Sequence, residues 1–287
     1  MKDKKIQSLF TLLVLVLLNC LPVLAQTSAG GPDKGWLILH GGSMKQEWVA
    51  EHRFASLAGG PNASIVVVLT PVDLEILTPG FLKHYKQWWG TELGISNLTF
   101  LDTRDRKEAE TETFVAPLRQ ATGVWIMGGH NNNLVDIYVG TRTQREIRAV
   151  AERGGVIGGS SAGAMIQGSF LISRSTTAKG GTTFENLDRE RLIGFGFLQE
   201  VTVYPHLAQR HAEKMMLKIL SHYPGLLGIG IDENTAIVVH ENQFEVIGEG
   251  RVCVFAETNR GPQKYLVLTK GQKFDLLKRA QIENPLQ

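Results

Sequence analysis

Ile65-Val66-Val67-Val68-Leu69 is an unbroken apolar run. A strand with one wet face alternates apolar and polar residues. A strand buried on both faces does not, and such strands belong to parallel sheets covered by helices. The run therefore predicts an α/β protein. Outward from it, strand-like stretches at 36–39, 65–70, 98–101, 124–127 and 156–157 alternate with helix-like stretches at 47–58, 80–93, 114–120 and 141–153. That alternation predicts a mostly parallel sheet with helices on both faces, three layers in all.

The second half is less regular. A polar stretch over 174–191 suits either a loop over a site or a solvated excursion. A helix is expected from Leu207, where Ala208, Ala212, Met215 and Ile219 recur at helical spacing, with Pro224-Gly225 ending it. Strand-like pieces follow at 227–231, 235–239, 244–247 and 265–268. With 287 residues, 43% of them hydrophobic and 20% charged, the chain has enough apolar material for one large domain, expected over 26–287.

Residues 1–25 read as a signal peptide. Lys2, Lys4 and Lys5 form a basic start, the run from Leu9 to Leu18 is nearly all apolar, and Val23-Leu24-Ala25 offers small residues for cleavage. The run is short for a membrane span, so no stable anchor is expected after cleavage, and the mature protein is expected to be secreted or periplasmic. Cleavage would take the formal charge from +2 to about zero, which argues against a nucleic-acid partner. It would also leave Cys253 alone, without a disulfide framework.

Three glycine-containing turns fall where ligands bind in parallel sheets, beyond the carboxyl ends of strands: Gly41-Gly42, Gly128-Gly129 and Gly158-Gly159. The last opens Gly159-Ser160-Ser161-Ala162-Gly163, a match to G-x-S-x-G between a strand and a helix. Such a turn lifts a serine oxygen clear of the sheet, which makes Ser161 the candidate nucleophile. The Ala162 N–H just after it, and an N–H from Gly128-Gly129 on the next strand end, are candidate oxyanion donors. No phosphate-binding glycine motif competes for this turn.

A serine hydroxyl needs a base, and among the histidines His206 stands at the end of the strand-like Val201-Thr202-Val203. The third group, a carboxylate to orient the imidazole, is Asp232 or Glu233 after the apolar run Gly228-Ile229-Gly230-Ile231; spacing alone leaves both open. The order serine, histidine, acid differs from that of lipase-type hydrolases, which weighs against an esterase. No zinc spacing occurs, so neither metal nor cofactor is expected.

Gly158 to Ala164, Pro205 to Arg210, Gly228 to Ala236 and Ile126 to Asn131 together resemble segments of the cyanophycinase-like serine peptidases, which include bacterial aspartyl dipeptidases. The resemblance spans about 36–254. It implies a fold like the class I glutamine amidotransferases, flavodoxin-like, with serine in place of cysteine. It also implies Ser161 as nucleophile, His206 as base, Glu233 as orienting acid, and Gly129 and Ala162 as oxyanion donors. Asn131, Gln209 and Arg210 would contact substrate. The implied reaction is hydrolysis of a peptide beside aspartyl residues, β-linked ones and cyanophycin included, by an enzyme that often pairs as a homodimer.

The chain departs from the family pattern where substrate is held. Tyr204-Pro205 stands before His206 where the family has Asp-Gln, Ala212 replaces a second arginine, and His130-Asn131 replaces Asp-Gln. Alanine cannot grip a carboxylate bidentately as arginine does. A catalytically silent binding protein on the same scaffold is therefore a competing expectation.

Overall fold

Five parallel strands form the centre of the molecule: β1 (Trp36–His40), β2 (Ser64–Val68), β3 (Asn97–Leu101), β4 (Gly123–Ile126) and β5 (Val156–Ser160). They lie in the order β1-β5-β4-β2-β3. This computed structural model describes residues 30–42, 48–172, 193–256 and 264–283. The expected signal peptide and the 174–191 excursion lie outside the described residues.

The apolar run that opened the reading behaves as a doubly buried strand. Ile65 and Val67 face Phe54, Ala55, Trp89 and Leu93 of the helices Val49–Leu57 and Pro79–Leu93. Val66 and Val68 face the opposite way, toward Val115, Leu118, Ile147 and Val150 of the helices Glu112–Gln120 and Arg142–Glu152. Each such side chain contributes about 1.5–3 kcal/mol by leaving water, so a single charge at Val67 would disrupt the sheet. The helix Pro79–Leu93 shows why the elements stop where they do. Thr78 Oγ1 accepts the Phe81 N–H at 3.2 Å, proline occupies the first turn, and Gly94 ends the helix at φ 70°.

The central sheet is wider than the βαβ pattern suggested. Antiparallel β9 (Thr235–His240), β10 (Gln243–Gly248), β13 (Lys273–Asp275) and β14 (Ala280–Ile282) extend it beyond β1. The remaining strands make a second sheet: β6 (Gly168–Phe170), β7 (Leu198–Pro205), β8 (Leu227–Ile231), β11 (Val252–Phe255) and β12 (Leu266–Leu268), in the order β12-β11-β8-β7-β6. Val201, Val203, Ile229, Ile231, Val252 and Val254 join the same core as Val66 and Val68. One face of the central sheet is thus covered partly by strands, not by helices alone.

One local expectation is corrected, and one further helix is added. The helix expected from Leu207 begins at Glu213 and ends at His222; residues 207–211 form turns, and His211 has φ 48°. The Ala208 N–H is drawn to Asp232 Oδ1 at 3.0 Å, and the Ala212 N–H to the Leu207 carbonyl, so helical spacing at 208 and 212 carries no helix. Conversely, Asn131–Tyr138 is a helix that its polar start, Asn131-Asn132-Asn133, concealed. Its apolar side, Leu134, Val135 and Tyr138, is buried.

Candidate active site

Ser161 stands just beyond β5, with the ends of β1 and β4 on either side. Its backbone has φ 53° and ψ −111°, outside the ordinary regions for a residue with a side chain. Holding such a conformation costs of order 1–3 kcal/mol and persists only where surrounding structure enforces it. The short helix Ala162–Met165 follows at once and is wholly buried. The serine is thereby fixed in direction before any partner reaches it.

His206 follows β7 and Glu233 lies in the turn after β8, two parallel neighbours in the second sheet. His206 Nε2 lies 2.9 Å from Ser161 Oγ, and His206 Nδ1 lies 2.7 Å from Glu233 Oε1. A carboxylate only accepts, so Nδ1 carries the ring proton and Nε2 is free to accept the serine proton. The side chains of His206 and Glu233 are 16% and 28% exposed, open enough for substrate yet sheltered from bulk screening. An array of this order makes a hydroxyl nucleophilic, then stabilises the imidazolium that forms.

Geometry separates the two acids that spacing left open. Asp232 turns away from His206: it accepts from the Ala208 N–H, the Arg251 N–H and Arg251 Nε, the last at 2.9 Å. It ties the loop after β7 to the end of β8. Glu233 alone of the pair reaches the imidazole.

Gly129 has φ 136°, and a Cβ on it would overlap the Pro71 carbonyl. Neither its N–H nor that of Ala162 meets a backbone carbonyl among the described residues. Asn131, two residues on, is partly buried at the start of its helix. Gln209 is exposed, and its Oε1 accepts the Glu233 N–H at 3.3 Å. Arg210 is exposed, with its guanidinium 5.9 Å from the Tyr204 ring centroid.

A sequence model of peptidase family S51 matches residues 37–247. The chain belongs to peptidase family S51. It is accordingly a serine-type peptidase. It is 31% identical to the cyanophycinase of Geminocystis herdmanii over 208 residues, which is 70% of this chain and 72% of that one. Its identity to the cyanophycinase of a Nostoc species is also 31%, over 212 residues, 71% and 67% of the two chains. A peptidase from an acI-B1 Actinobacterium shares the fold at TM-score 0.65 and 24% identity, over 85% of this chain and 98% of that one. A putative peptidase E protein from Listeria monocytogenes does so at 0.53 and 16%, over 76% and 100%. The α/β fold shared with these two peptidases is consistent with the amidotransferase-like fold that the resemblance implied.

Two of the departures from the family pattern lie in the interior. Tyr204 and Ala212 are 2% and 3% exposed, packed with Leu207, Met216, Ile219 and Phe255. They are core residues beneath the site. His130, by contrast, is exposed and meets Asp73 Oδ1 at 2.9 Å. Asp73 drew no attention in the sequence because no spacing links it to Gly129; the contact exists only because the Pro71 carbonyl accepts the His130 N–H. Beside that contact a cavity of about 520 Å³ is lined by Val72, Asp73, Leu74, Glu75, Arg104 and Asn133.

Proposed function

We propose that this S51 peptidase hydrolyses peptide bonds beside aspartyl or β-aspartyl residues through an acyl-enzyme on Ser161, outside the cytoplasm. The observation that carries the chemical part is the hydrogen-bonded chain Ser161–His206–Glu233. Ser161 Oγ attacks the scissile carbonyl carbon while His206 Nε2 takes its proton. Glu233 holds the imidazolium, and the Gly129 and Ala162 N–H groups receive the oxyanion. The C–N bond then breaks, with the proton passing from His206 to the leaving amine, and water releases the acyl group by the reverse use of the same base.

Likeness to cyanophycinases supports the aspartyl preference, with exposed Arg210 offering a cation to a substrate carboxylate and Asn131 and Gln209 offering polar contacts. The signal-peptide pattern read over residues 1–25 supports export. A fluorophosphonate probe is expected to label Ser161, and Ser161→Ala to lower turnover about a thousandfold or more. Mass spectrometry of products from cyanophycin and a panel of aspartyl, β-aspartyl and neutral peptides tests the preference; equal cleavage of the neutral peptides would refute it. N-terminal sequencing of the exported protein is expected to begin at Gln26.

A further inference from the structure

The Ser161–His206–Glu233 array draws on two sheets, because Ser161 follows a strand of the central sheet while His206 and Glu233 follow strands of the second. Something must hold the two sets of strand ends in register to within a fraction of an ångström. The tripeptide at the end of β1 touches all three. The Ser161 N–H donates to the His40 carbonyl at 3.1 Å, the His206 N–H to the Gly41 carbonyl at 3.0 Å, and the Asn234 N–H, next to Glu233, to the Gly42 carbonyl at 3.0 Å. Gly41 returns its own N–H to Thr235 at 2.9 Å. Three consecutive carbonyls thus receive, in order, the serine, the histidine and the neighbour of the acid.

The side chains of the tripeptide fit that role. Gly42 has φ 99°, and a Cβ there would overlap the His206 imidazole, so the bare backbone is a surface on which the ring rests. His40 is 7% exposed, its Nδ1 has no hydrogen-bond partner among the described residues, and Glu51 Oε1, on the helix Val49–Leu57, is 3.9 Å away. A buried imidazole with an unmet nitrogen is destabilising in a way that an aliphatic side chain would avoid. Burial, and next the charge of His206, hold His40 down to about 4, with Glu233 acting the other way, so it stays neutral beside the array.

We propose that His40-Gly41-Gly42 is the positioning element that registers the serine strand end against the histidine and acid strand ends, with the buried His40 side chain as its anchor. The proposal rests on the reading of Ser161, His206 and Glu233 as the catalytic set. His40 touches no reacting atom in it and acts through the backbone of the others.

The test is the rate of Ser161 labelling by a fluorophosphonate, separated into reagent affinity and maximal rate. It is run on the full chain and on His40→Ala, His40→Asn and Gly42→Ala, with melting temperature measured for each. Asparagine keeps a polar atom facing Glu51 Oε1 from the position that Nδ1 occupies. His40→Ala is expected to lower the maximal rate at least tenfold with affinity changed less than twofold, His40→Asn to recover it to within about threefold of wild type, and Gly42→Ala to lower it at least a hundredfold. Should His40→Ala not fold, His40→Gln, which displaces the polar atom by one bond, takes its place with the same expected loss. Wild-type rates in folded His40 and Gly42 variants would overturn the proposal while leaving the serine mechanism intact. Absence of labelling in the wild-type protein, or labelling that persists in Ser161→Ala, would instead overturn the catalytic reading beneath it.

Discussion

The floor of the site and its rim are built differently. On the floor, Ser161, His206 and Asn234 all have positive φ, 53°, 56° and 55°, and each donates its N–H to the end of β1. Around the rim, His130, Asp73, Gln209 and Arg210 are exposed, and the contacts they make are single hydrogen bonds, one ion pair or a ring contact. Backbone strain of order 1–3 kcal/mol per residue survives only where neighbouring structure over-determines it, so the floor tolerates little change. Exposed side chains with one partner each can be exchanged at little cost to the fold. The difference teaches that the hydrogen-bonded array rests on buried, over-determined backbone, whereas the side chains around it are replaceable surface groups.

The widest gap between the two regions is expected in Glu233→Gln. An amide there still touches the imidazole but no longer enforces its tautomer, so kcat should fall by roughly 10³ to 10⁴ with an unchanged melting temperature. Its neighbour gives the opposite pattern. Asp232→Asn, which weakens the ties to Ala208 and Arg251, should cost about 2–3 kcal/mol in chemical denaturation, with a much smaller fall in kcat per folded molecule.

Next in size is Ala212→Arg, which restores a family-typical arginine. Because Ala212 is 3% exposed in an apolar cluster, the guanidinium would be buried without a partner. Stability should fall by about 3–5 kcal/mol, and no gain in cleavage of acidic peptides should accompany it. A tighter KM in a stable Ala212→Arg protein would show that the rim extends deeper than its exposure indicates.

The buried pair below the floor sets a third expectation, read in stability against pH. Burial pushes Glu51 up to about 7 from 4.5, so the native state holds a proton there that the unfolded chain has lost, and stability falls as pH rises through that interval. His40, lowered from 6.5 to about 4, does the reverse: the unfolded chain binds the extra proton, and stability rises with pH between those values. From 4.5 to 6.5 the two slopes oppose, each at most about 1.4 kcal/mol per pH unit. Glu51→Gln should uncover the rising slope and His40→Asn the falling one, in denaturant titrations at several pH values. The smallest effect belongs to the rim: Arg210→Ala should raise KM for acidic peptides no more than about fivefold, with kcat and melting temperature unchanged.

Much of this was legible beforehand wherever the signal was local. Ile65 to Leu69 declared a doubly buried strand, Gly159-Ser160-Ser161-Ala162-Gly163 declared a tight turn, and both are where they were expected. The segment 207–212 was misread because its N–H groups are claimed by Asp232 and Leu207, which spacing along the chain does not reveal. The second sheet was hidden for a related reason: apolar runs such as Leu227 to Ile231 fit either sheet equally well.

By itself, the sequence determined the α/β class, the serine turn and a short list of bases and acids, because periodicity and turn chemistry act between residues close along the chain. The family resemblance implied Glu233 over Asp232, but only the tertiary structure brought Glu233 to His206, placed Tyr204 and Ala212 in the core, and led all three segments of the array to the end of β1. Those outcomes depend on how two separately hydrogen-bonded sheets pack face to face. That packing is settled by burial summed over the whole core, to which no single stretch of sequence holds the key.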